Sequence, residues 1–106
     1  MDGTLEQRKE SAKKLIERHP TKVPIFVTID FTKETRKYLL PQGTTVGEFY
    51  YFIRSSIKLH QEDSLFIFFG DCKLLSGSTL LSQAYDKYKD EDNYLKVIVM
   101  RENTFG

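Results

Sequence analysis

Leu65-Phe66-Ile67-Phe68-Phe69, followed at once by Gly70-Asp71, is where the architecture of this chain declares itself. Five apolar residues closed by turn chemistry are too few for a helix and read as a strand. The run is apolar on both faces, so the sequence predicts cover on both sides of it. Two segments are suited to supply that cover. Thr45-Val46-Gly47-Glu48 is a capping box that opens a helix carrying Val46, Phe49, Ile53 and Ile57. Thr4-Leu5-Glu6-Gln7 is another, and Leu5, Ala12, Leu15 and Ile16 recur behind it at helical spacing up to the stop at His19-Pro20.

The rest of the chain fills in around these three pieces. Val23, Ile25, Val27 and Ile29 alternate over a β-branched run and predict a strand. A charged connector, Thr32 to Arg36, leads to a second strand, Lys37 to Leu40, and Pro41-Gln42-Gly43 turns the chain. Leu80, Leu81, Ala84, Tyr85 and Tyr88 fit a short helix; Asp90-Glu91-Asp92-Asn93 reads as a solvated turn, and Tyr94 to Met100 alternate as a last strand. The expectation is an α+β domain of the β-grasp type, a four-stranded mixed sheet with a central helix on one face and the N-terminal helix on the other. Residues 1–20 form the N-terminal helix of that expectation, 21–100 the grasp core and 101–106 a flexible tail.

Composition narrows the function. A chain of 106 residues is one domain, and 40% hydrophobic with 29% charged residues is an ordinary globular balance. The net charge of +1 gives no bulk attraction for nucleic acid, and Lys13, Lys14, Lys33, Arg36 and Lys37 read as a charged wet face. No run approaches the roughly 18 apolar residues of a membrane span. The lone Cys72 excludes an internal disulfide and fits a reducing, cytoplasmic setting. His19 and His60 lack partners at metal-ligand or triad spacing, and Asp90-Glu91-Asp92 lacks the glycine and spacing of a calcium loop, so the sequence calls for no metal, cofactor or catalytic residue.

Alternation on the strands raises one question about a site. Ile25 and Val27 share a face, which sends Pro24 and Phe26 the other way; Tyr38 and Leu40 share a face, which sends Leu39 the other way; Tyr94 points away from Leu95 and Val97. If Phe26, Leu39 and Tyr94 gather near the leading helix, they form either an apolar cleft beside a strand edge or core beneath that helix.

At this point the chain resembles a known family, the autophagy ubiquitin-like modifiers typified by the GABA-receptor-associated protein and its yeast counterpart. The resemblance runs from about Leu5 to Gly106 and is carried by "KVPIFV" from Lys22, "RKYLLP" from Arg36, "TVGEFYYFIR" from Thr45, "EDSLFIFF" from Glu62, "YKDEDNYL" from Tyr88 and the closing "ENTFG". It implies conjugation of the C-terminal glycine, here Gly106, to phosphatidylethanolamine by activating and conjugating enzymes. It also implies a processing and deconjugating cysteine protease, and an autophagosome membrane as destination once lipidated. Nothing follows Gly106 here. The resemblance further implies docking of cargo receptors and adaptors through aromatic-x-x-aliphatic motifs. Leu15, Pro24, Phe26, Leu39 and Tyr94 would line the aromatic pocket with Lys37 at its rim. Tyr38, Leu40, Pro41, Phe49 and Phe52 would shape the aliphatic pocket, and Lys22, Lys37 and Arg54 would meet acidic flanks. The chain departs from the family pattern in a shorter connection between its first strands, in Ser55-Ser56 after Arg54, and in Thr44 where an apolar pocket residue is usual. The alternative class is a ubiquitin-fold domain that binds partners only non-covalently; an RNA-contacting grasp domain is disfavoured by the neutral charge.

Overall fold

A computed structural model describes residues 3–60 and 62–102. In chain order the elements are α1 (Leu5–Arg18), β1 (Lys22–Ile29), β2 (Glu34–Pro41), α2 (Val46–Ser56), β3 (Leu65–Phe69), α3 (Leu81–Tyr88) and β4 (Leu95–Arg101). The strands form one sheet in the order β2-β1-β4-β3, with β1 parallel to β4 and antiparallel to β2, and β3 antiparallel to β4. Both capping boxes form: Thr4 and Thr45 each accept an amide hydrogen from the third helical residue, whose Gln7 or Glu48 side chain reaches back. Lys33 at φ 61° closes the β1–β2 hairpin, so β2 begins at Glu34 and absorbs part of the charged connector expected there.

One face of the sheet carries the main core. Val23, Ile25, Val27 and Ile29 meet Leu95, Val97 and Val99, and β3 adds Leu65, Ile67 and Phe69. α2 contributes Val46, Phe49 and Ile53 and α3 contributes Leu81 and Ala84, so both helices lie on this side. The opposite face holds a smaller cluster, Ala12 of α1 with Phe26 and Tyr94, and Leu15 half-buried against it.

The expectation for Leu65–Phe69 needs correction. β3 is an edge strand, and α1 sits instead over β1 and the start of β4. Phe66 is 40% exposed and Phe68 partly so, their rings 6.2 Å apart on the same sheet face as α1 but at the edge it does not cover. A helix of 14 residues is about 21 Å long and one helix wide, and strands lie roughly 5 Å apart, so α1 cannot blanket four of them.

Candidate functional site

β2 pairs with β1 and with no other strand among the described residues, so its outer edge offers unpaired backbone groups. Its side chains alternate between two surfaces. Lys37 lies opposite Phe26 and Leu39 opposite Pro24, on the α1 side; Tyr38 lies opposite Ile25 and Leu40 opposite Val23, on the α2 side.

On the α1 side Leu15 packs against the cluster of Ala12, Phe26 and Tyr94, and the register sets Leu39 against Pro24 and Lys37 against Phe26 on that same face. Phe26 is 8% and Tyr94 1% exposed, so both are packed beneath the helix. The Lys37 ammonium stands 5.7 Å from the Tyr94 ring centroid, and Lys96 stands 5.9 Å from that of Phe26. The Tyr94 hydroxyl is 3.0 Å from the Ser11 hydroxyl of α1.

On the α2 side Tyr38 meets Phe52 edge to face, centroids 5.0 Å apart, with Leu40 half-buried and Pro41 exposed beside them. Phe49, assigned to the aliphatic pocket by the family resemblance, is fully buried with its ring centroid 6.0 Å from that of Phe69, so it presents no surface. Arg54, placed at the rim, donates to the backbone carbonyls of Asp63 and His60 and so ties α2 to the following loop. Lys22 is exposed at the start of β1, opposite Pro41.

Asp90-Glu91-Asp92 also needs correction. Asp92 is 1% exposed, not solvated. Its Oδ2 accepts from Arg8 Nε of α1 at 3.0 Å and pairs with Lys96 Nζ at 2.9 Å, while Oδ1 accepts the Tyr94 amide hydrogen at 3.0 Å. Burial pushes this carboxyl up, but the Lys96, Tyr94 amide and Arg8 hydrogen bonds outweigh it and hold the acid below the usual carboxylate range. Asp90 is likewise depressed, by the Glu91 amide hydrogen and by Lys96. No sequence signal links Arg8 to a residue 84 positions away.

Cys72 is exposed in the turn after β3. Among the described residues no group of three His, Cys, Asp or Glu is placed to hold a metal ion, and no helix is long and apolar enough to cross a membrane. Gly106 lies outside the described residues.

A mixed sheet of this order, with α2 across one face, defines a ubiquitin-like protein. The chain belongs to the family described as "Autophagy protein Atg8 ubiquitin like", whose model matches residues 7–106. It is 39% identical over 111 residues to autophagy-related protein 8e of Arabidopsis thaliana, covering 100% of this chain and 90% of the relative. It is 36% identical over 110 residues to autophagy-related protein 8 of Schizosaccharomyces pombe, covering 99% and 90%. The crystal structure of Trypanosoma brucei ATG8 superposes with a TM-score of 0.86 at 36% identity, covering 100% of this chain and 95% of that one.

Proposed function

We propose that this autophagy protein is a modifier, not an enzyme, that is joined through Gly106 to phosphatidylethanolamine and recruits cargo receptors and adaptors at the β2 edge. The observation that carries the docking half is the two-sided environment of that edge. Residues three apart on an added strand point to opposite faces, because side chains alternate with period two. An aromatic-x-x-aliphatic segment lying along β2 would therefore aim its ring at the α1 side, toward Leu39, and its aliphatic residue at the Tyr38–Phe52 side. Lys22 and Lys37 beside that path suit acidic flanking residues, as rim charges that favour encounter more than final affinity.

For the conjugation half, β4 ends at Arg101, and both Arg101 and Glu102, the last described residues before Gly106, are exposed. ATP adenylates the Gly106 carboxylate with loss of pyrophosphate, and an enzyme thiol displaces AMP to give a thioester. The lipid amine then attacks the acyl carbon, losing a proton and expelling the thiol. A glycine leaves that carbon unhindered. The amide brings two acyl chains, enough for stable anchoring at a membrane such as that of the autophagosome. A cysteine protease that recognises the same terminus would process and release it.

The test is incubation with active activating and conjugating enzymes of the family, ATP and phosphatidylethanolamine liposomes, followed by intact mass spectrometry. A gain equal to the lipid less one water, absent in Gly106→Ala, supports the proposal. No adduct with enzymes from the native source would leave the non-covalent binding domain as the function.

A further inference from the structure

We propose that Asp92 is a positioning residue for the aromatic half of the docking site: clamped between Arg8 and Lys96, it fixes the seat of α1 over Phe26 and Tyr94. The inference rests on the docking reading above and deepens it.

α1 has little apolar hold on the sheet. Ala12 is its only fully buried residue, and Leu15 is half-buried beside it. Two polar contacts supplement that small patch, Arg8 with Asp92 and Ser11 with Tyr94, each at 3.0 Å. They are unequal. The hydroxyl pair is neutral and partly buried, whereas Asp92 is a buried carboxylate whose ammonium and guanidinium partners come from different elements. Removing the charge of a buried pair member leaves its partners uncompensated.

Two consequences converge on one place. Without the carboxylate charge, Arg8 loses its anchor and α1 its orientation over Tyr94. Lys96 loses its Asp92 partner as well, and among the described residues its ammonium, already near the Phe26 ring, keeps the more exposed Asp90 as its acidic partner. The groups that shape the aromatic pocket thus answer to a carboxylate that is buried behind them. Affinity then follows the fraction of molecules with α1 seated: a seat occupied about one time in ten weakens apparent binding about tenfold.

Asp92→Asn tests this, because the amide keeps an acceptor for the Tyr94 amide hydrogen and removes only the charge. Arg8→Gln attacks the same pair from α1 and serves if the first variant folds poorly. Hydrogen exchange of the α1 amides is measured without peptide. Calorimetric titration then uses two synthetic peptides with acidic flanks, one bearing Trp-x-x-Leu and one with its Trp replaced by Leu. The expected result is protection of the α1 amides largely lost in both variants, with affinity for the Trp peptide falling about tenfold and that for the Leu peptide by less than about twofold. Unchanged α1 protection overturns the inference, as does an equal loss for both peptides, which would mark a general structural defect. Failure of the wild-type chain to bind either peptide overturns the docking reading itself, and the peptide-free exchange data tell that failure apart.

Discussion

Tyr38 of β2 and Phe52 of α2 meet edge to face, with ring centroids 5.0 Å apart and planes at 80°. The pair joins the open edge strand to the helix that covers the main core, and Phe52 is still 37% exposed. Phe52→Ala should cost about 1–2 kcal/mol in urea unfolding, the ring pair plus partial burial. It should also weaken an aromatic-x-x-aliphatic peptide through its aliphatic residue, so that shortening that residue to Ala costs less in the variant than in the wild type. Equal costs would remove Phe52 from the pocket.

Lys37 and Leu39 lie on the other side of the same strand, opposite Phe26 and Pro24. Leu39→Ala and Lys37→Ala should each weaken the peptide in calorimetry, and the Lys37 effect should shrink as salt is raised, as for a rim charge. Because Lys37 is exposed, its replacement should leave stability within about 0.5 kcal/mol.

The depressed Asp92 carboxyl makes a prediction about acid. Its folded value lies below its unfolded one, so its stabilisation is complete above the ordinary carboxylate value of about 3.9 and disappears as pH falls through the folded value. Asp90 shifts the same way but is half-exposed and adds less. Denaturation followed between roughly pH 5 and pH 2 should show stability falling with acid, and Asp92→Asn should flatten that fall. An unchanged slope in the variant would assign the acid sensitivity elsewhere.

At the start of α2, the Gly47 amide donates to the Gly77 carbonyl at 2.9 Å, and a Cβ on Gly47 would stand 3.3 Å from that oxygen. A branched side chain cannot share this space. Gly47→Val should displace the loop at 76–79 and destabilise the domain by about 1–3 kcal/mol in thermal or urea unfolding. Gly47→Ala, whose methyl needs only a small shift of the loop, should fall well short of that.

Arg36 closes the other end of α2. Its guanidinium donates to the Ser56 carbonyl at 3.1 Å and the Tyr38 hydroxyl at 3.2 Å, and pairs with Glu34 at 2.8 Å; the first of these contacts ties the helix end to β2, and the other two lie within the strand. Arg36→Met should cost about 1 kcal/mol, while Glu34→Gln, touching only the exposed ion pair, should cost less than about 0.5 kcal/mol. Matching losses would place the stabilisation in the ion pair and not in the helix end.

Local chemistry determined much of this protein from the sequence alone. The boxes at Thr4 and Thr45, the stop at His19-Pro20, and the alternation of Val23, Ile25, Val27 and Ile29 are set by neighbours a few residues apart, and they place helices, strands and faces directly. The same alternation put Phe26, Leu39 and Tyr94 on the side of the leading helix, while the quoted motifs pointed to the family. What only the tertiary structure decided are relations between distant segments. The sheet order made Leu65–Phe69 an edge strand and left Phe66 uncovered, although its composition resembles that of a central strand. Packing also set how far each assigned site residue is buried: Phe49 lies fully inside against Phe69, and Tyr94 nearly so beneath α1. Folding also turned Asp92, in a run that reads as a wet loop, into a buried acid by bringing Arg8 and Lys96 to it. Burial and charge pairing depend on which elements meet in space, and a residue's neighbours in sequence do not specify that.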